Sequence, residues 1–96
     1  MNQLAEKIMS QTNGGKVVFD YYKIPIGRNI LSPLNPHDTK PSFNVYYSDA
    51  AGKYCFKDHG ETGWESTGDC IDYVKLKYGL SFSDAAAKII KDLKIK

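Results

Sequence analysis

The 96-residue chain is 42% hydrophobic and 12% aromatic with a formal net charge of +2, a balance that excludes a disordered or fibrous chain and leaves room for one domain with one modest core. The mild positive charge permits nucleic-acid contact without requiring it, since such footprints depend on clustering. No apolar N-terminal run and no stretch of membrane-spanning length occurs, so the sequence predicts a cytoplasmic protein, and its two cysteines, Cys55 and Cys70, are free thiols or ligands rather than a disulfide.

In chain order, Asn2 is placed to cap a short helix over residues 3–11, with Leu4 and Ile8 facing inward at i, i+4, and Asn13-Gly14-Gly15 breaks it. KVVFDYYKIPI is rich in β-branched and aromatic residues and reads as a strand from Lys16 to about Lys23, with Pro25 pushing its end to a sheet edge. The following segment, GRNILSPLNPHDTKP, holds three of the four prolines (Pro33, Pro36 and Pro41) and is an irregular loop. It is long for so small a domain, and such loops are usually functional or tethered. Ser42 to Ser48 and Lys53 to Asp58 then form a β-hairpin around the turn Asp49-Ala50-Ala51-Gly52.

Gly60 to Gly68 reads as a glycine-bearing loop, and Asp69 stands at the N-cap of a helix, CIDYVKLKY. Asp72 in its first turn and Lys75 and Lys77 in its last suit the helix dipole, Gly79 stops it, and Ile71, Val74 and Tyr78 form the inward stripe. Ser81 and Asp84 make a capping-box-like start for a final helix whose Ala86, Ile89, Ile90 and Leu93 recur at helical spacing. The expected fold is α+β: a small antiparallel sheet of three to four strands, with an N-terminal helix and two C-terminal helices packed on it, in a single domain spanning 1–96.

Zinc wants about four Cys, His or carboxylate ligands, usually as closely spaced pairs. The chain has no Cys-x-x-Cys, and its donors are His37, Cys55, Asp58, His59 and Cys70. A set of His37, Cys55, His59 and Cys70 exists only if the fold converges them; otherwise both cysteines are small buried hydrophobes and both histidines are loop residues. A Cys–His nucleophile lacks a third orienting group. Asp69 and Asp72, three apart at a helix start, are accounted for by capping, and neither a P-loop nor a dinucleotide fingerprint occurs. The sequence therefore contains no catalytic centre, and no cofactor is expected.

Nucleic-acid contact has more behind it. Lys16, Lys23, Arg28, Lys40, Lys53 and Lys57 fall among Tyr21, Tyr22, Tyr46, Tyr47, Tyr54 and Phe56, a mixture suited to phosphate contact and base stacking. Strand alternation lets only about half of these aromatics face solvent. An ordinary solvated sheet face is the competing reading.

A series of motifs runs through the chain: Gly27-Arg28-Asn29, Ser32-Pro33-Leu34-Asn35, Thr39-Lys40-Pro41-Ser42-Phe43, Tyr54-Cys55-Phe56-Lys57-Asp58, Gly68-Asp69-Cys70-Ile71-Asp72-Tyr73-Val74 and Gly79-Leu80-Ser81-Phe82. In this order, over about residues 27–90, it resembles the CHC2-type zinc-ribbon domain at the N-terminus of DnaG-like bacterial and phage DNA primases. There, Gly-x-Asn precedes a Cys-Pro-Phe-His knuckle, Thr-Pro-Ser-Phe opens a strand, a hairpin carries Cys-Phe-x-Cys, and Gly-Asp-x-Ile-Asp-Phe-Val leads to Gly-Leu-Ser-Phe. At the implied ligand positions this chain has Ser32, Asn35 or its neighbours, Cys55 and Asp58, so only Cys55 is kept. It is similar to the zinc-less versions in phage and mobile-element primases.

The resemblance implies a DNA-replication role. The domain would contact single-stranded template DNA through Arg28, Lys40, Tyr46, Tyr47, Lys53, Tyr54 and Lys57, while a separate metal-binding catalytic domain makes the primer. The alternative is a protein-interaction module that docks a replicative helicase or the primase catalytic domain through its helical face, Ile71 to Leu93. Zinc is expected only if His37, Cys55, His59 and Cys70 offer a displaced site.

Overall fold

The computed structural model describes residues 3–37, 39–59 and 65–96, with Glu65 by its backbone alone. Four helices and a three-stranded antiparallel sheet make an α+β fold: α1 (Gln3–Gln11), α2 (Lys16–Tyr21), β1 (Phe43–Ser48), β2 (Lys53–His59), β3 (Glu65–Asp69), α3 (Cys70–Tyr78) and α4 (Phe82–Leu93). The expected Asn2 cap lies outside the described residues. Among those described, no helix is long and apolar enough to cross a membrane.

The hairpin forms where expected, in a register that sets Phe43 opposite Asp58 through Ser48 opposite Lys53. Its turn closes where Gly52 takes φ +69° and donates its N–H to the Ser48 carbonyl at 2.7 Å. Residues 27–30 lie along the outer edge of β1: Gly27 N–H donates to the Val45 carbonyl, Ile30 N–H to the Phe43 carbonyl, and Ile30 bridges Phe43. The long proline loop is thus tethered at its start, and Lys77 Nζ holds it again by donating to the Pro33 carbonyl at 2.9 Å.

Two expectations about elements are overturned. Lys16 to Lys23 is not a strand, because Lys16–Tyr21 is helix α2. Thr12 Oγ1 donates to the Ile8 carbonyl and accepts from Gly15 N–H, and Gly14 and Gly15 both take positive φ, which reverses the chain directly into a new helical turn. Helical spacing then buries Val18 and Phe19, half-buries Tyr22, and leaves Val17 and Tyr21 outside, and residues 27–30 instead occupy the outer edge of β1. Nor does the glycine-bearing loop extend to Gly68: Glu65–Asp69 is β3, paired with β2 from His59 opposite Glu65 to Cys55 opposite Asp69. The rest of that expected loop, residues 60–64, lies outside the described residues.

The core sits between the sheet and the helices. Phe43 and Phe56 stack at 5.4 Å between centroids, and Tyr73 of α3 meets both edge-on, with Phe19 of α2 5.9 Å away. Ile8, Val18, Val45, Ile71, Val74, Ala86 and Ile89 complete it. Two members of the expected inward stripes are displaced: Leu4 is 38% exposed and Tyr78 45%, and Tyr73 takes the core position on α3. Asp69 caps α3 in a reciprocal box, accepting from Ile71 and Asp72 N–H while Asp72 Oδ2 accepts from Asp69 N–H. Ser81 caps α4 by accepting from Asp84 N–H.

One polar contact lies deep in this framework. The Asp58 carboxylate is 1% exposed; its Oδ2 accepts from Ser32 Oγ at 2.5 Å and its Oδ1 from Ser42 Oγ at 3.2 Å, while Ser32 Oγ accepts from Leu34 N–H. Removing the acceptor would leave two hydroxyls without it in a dry site, so Asp58→Ala is expected to cost about 2–3 kcal/mol and Ser32→Ala about 1–2 kcal/mol. Urea unfolding of the two variants and their double mutant should give a non-additive cycle, with a coupling of about 1 kcal/mol or more; simple additivity would show the contact to be idle.

Candidate nucleic-acid interface

Pleating divides the sheet's side chains between two faces. Phe43, Val45, Phe56 and Asp58 are buried on the helix side. By alternation and register the outer face carries Asn44 and Tyr46 from β1, Lys53, Cys55 and Lys57 from β2, and Thr67 and Asp69 from β3. Tyr46 is 37% exposed there, directly opposite Cys55, which is itself opposite Asp69. Three of the expected DNA-contacting residues, Tyr46, Lys53 and Lys57, are thereby brought together.

The others are not. Tyr47 and Tyr54 face each other on the opposite side, beyond the core at the hairpin end, in an edge-to-face pair at 5.2 Å. Arg28 is exposed on the segment beside β1, and Lys40 is exposed on the loop leading into it. Lys16, Lys23, Tyr21 and Tyr22 leave the sheet altogether, because α2 and the turn after it carry them. Sequence reasoning passed over Asn44, whose place between two buried residues of β1 marks it as outward by alternation alone. It also passed over Thr67 and Asn29, which composition does not single out.

Lys53 and Asp69 set the electrostatics of the face. Lys53 Nζ donates to Asp69 Oδ2 at 2.8 Å, and this bond raises the lysine's pKa against the opposing effect of its burial. Burial alone would push the Asp69 carboxyl up; the Lys53 bond and the Asp72 and Ile71 amides outweigh it and hold the group below its ordinary 3.8. For Asp72 the balance is opposite, with burial and the Asp69 charge raising it. One carboxylate therefore fastens both a helix start and a surface cation.

The candidate metal donors are dispersed. His37 is exposed on the proline loop, and His59 is exposed at the end of β2, about 13 Å along an extended strand from Cys55. Cys55 is covered on the outer face, and burial pushes its thiol up despite the nearby Lys53 charge. Cys70 is fully buried in the core beneath Gly15, its thiol pushed up to about 12, mainly by burial. Among the described residues no three His, Cys, Asp or Glu side chains gather as a metal site. Of the positions where the resemblance implies ligands, two do meet: Ser32 and Asp58, joined by a hydrogen bond.

The Asp69 carboxyl predicts an acid limb of stability. Its folded pKa lies below its unfolded value, so its contribution is complete above about pH 4 and is lost as pH falls through the folded pKa. Asp72, shifted upward, contributes in the opposite sense and offsets part of that loss. Asp69→Asn keeps a capping acceptor but drops the ion pair, which is partly solvent-screened, so it should cost about 0.5–1 kcal/mol at pH 7 and flatten the acid limb. Urea midpoints from pH 7 downward measure both effects, and an unchanged acid limb in Asp69→Asn would assign the limb to other carboxylates. Comparison of the chain with protein-family models, with curated proteins and with solved structures finds no match.

Proposed function

We propose that this chain is a primase-like, zinc-depleted ribbon domain that lays single-stranded template DNA across the outer face of its sheet, for primer synthesis by a separate catalytic domain. The observation that carries the reading is the register, which sets Tyr46 between Lys53 and Lys57 on one solvent-facing surface. An exposed aromatic flanked by cations gives a base a platform and its phosphates a counter-charge. Arg28 and Lys40, exposed beside the β1 end of the sheet, extend the positive charge. The Ser32–Asp58 contact supports the zinc-depleted part of the reading, because a direct hydrogen bond there joins the proline loop to β2, which a metal would otherwise hold together.

A second reading has its own observation. Tyr78 is 45% exposed on α3, with Val17 and Tyr21 similarly exposed on α2. Tyr78 and Tyr22 share the ammonium of Lys88, 4.8 and 5.9 Å from their ring centroids. Such an apolar and aromatic helical side suits docking on a helicase or on the catalytic domain.

Fluorescence anisotropy with a labelled single-stranded oligonucleotide at about 50 and about 200 mM salt separates the two. The first reading expects salt-sensitive binding, a loss of about tenfold or more on charge reversal at Lys53 and Lys57, and a cost of about 1–3 kcal/mol for Tyr46→Ala. Absence of binding at the lower salt would overturn it. Capture of a partner that ignores both charge reversals and is lost in Tyr21→Glu would favour the second.

A further inference from the structure

The outer face also carries a pair of amides that stacking and phosphate contact leave unused. Asn44 lies opposite Lys57 and two positions from Tyr46, about 7 Å along the strand. Its Nδ2 donates to Asn29 Oδ1 at 2.9 Å. The backbone on both sides of Asn29 is fastened to β1: Gly27 N–H donates to the Val45 carbonyl and Ile30 N–H to the Phe43 carbonyl, each at 2.8 Å. Gly27 makes this approach at φ +85°, a conformation that favours glycine. The amide pair is therefore held in place before any ligand arrives. It leaves Asn44 Oδ1 as an acceptor and Asn29 Nδ2 as a donor, neither with another partner among the described residues.

We propose that Asn29 and Asn44 jointly read the edge of one base beside the base stacked on Tyr46, and that they favour adenine. This rests on the single-strand reading above. A neighbouring donor and acceptor match adenine's N6 amino group with N7, the combination that amide side chains bond in bidentate fashion; guanine offers two acceptors, N7 and O6, on the same edge. Adenine repeats the match at N6 and N1, so it can be bonded from either edge, whereas each pyrimidine has only its pairing edge. The Asn44 oxygen accepts from N6 and the Asn29 amide donates to the ring nitrogen. Arg28, exposed one residue before Asn29, places a cation near the phosphate of the same nucleotide.

The test is anisotropy at low salt with a labelled oligothymidine about a dozen nucleotides long and the same oligomer with adenines at its centre. The wild type is expected to bind the adenine-bearing strand about five-fold or more tighter. Asn29→Ala and Asn44→Ala should abolish that preference while keeping the salt dependence of binding and the thermal midpoint. Equal binding of the two strands by the wild type, or a preference that survives both substitutions, overturns the amide reading and leaves single-strand binding standing. Failure to bind either strand overturns both.

Discussion

The fold is drawn together around a buried carboxylate. At Asp58 the proline loop, the entry to β1 and the body of β2 touch through polar atoms, via Ser32, Ser42 and its own backbone. A carboxylate taken out of water is tolerable only when donors replace its hydration, and two serine hydroxyls do so, one of them steadied by the Leu34 amide. The consequence is directional. The loop from residue 31 to residue 41, which has no regular secondary structure among its described residues, is drawn against the strand whose other face is the candidate interface, so the exposed Lys40 and the amide of Asn29 are held at one edge of that face.

The two faces of the sheet do different work, and α3 joins them. On the inner face Phe43, Phe56 and Tyr73 pack ring to ring, and at Gly68, opposite Phe56, α3 approaches the strand closely: a Cβ there would lie 2.5 Å from Asp72 Cβ. The helix can begin at Cys70 only because residue 68 has no side chain. On the outer face the cap residue of the same helix, Asp69, reaches back to Lys53. Close packing on one side and charge placement on the other are thus consequences of a single strand-to-helix junction, Gly68-Asp69-Cys70.

What the sequence made legible follows physical lines. Where local chemistry dictates structure, the reading agreed with the fold: the four-residue turn ending in Gly52, the Asp69 cap, the Ser81 cap and the Gly79 stop, with φ +64°. Where tertiary context decides, it did not. KVVFDY has the composition of a strand, yet Thr12 and two glycines turn the chain into a helix that buries Val18 and Phe19. ESTGD has little strand propensity, yet β2 offers an open edge and Thr67 Oγ1 donates to the Phe56 carbonyl, so it pairs. The site divided in the same way. Alternation separates Tyr46 from Tyr47, but the Asn29–Asn44 contact joins positions fifteen apart and depends on how residues 27–30 run along β1, which composition does not encode.

The charge arrangement of the outer face bears on what kind of polymer it suits. Lys53 is already paired with Asp69, so a phosphate arriving there exchanges one anion for another and gains less than it would at an unpaired lysine. A duplex, which presents phosphates on both sides and keeps its base faces stacked, draws mainly on such charge contacts. A single strand can also place a base on Tyr46 and a base edge against the amides, where the gain comes from stacking and hydrogen bonding and is less sensitive to salt. Muting one lysine while leaving an aromatic and two amides accessible therefore tilts this surface toward unpaired bases.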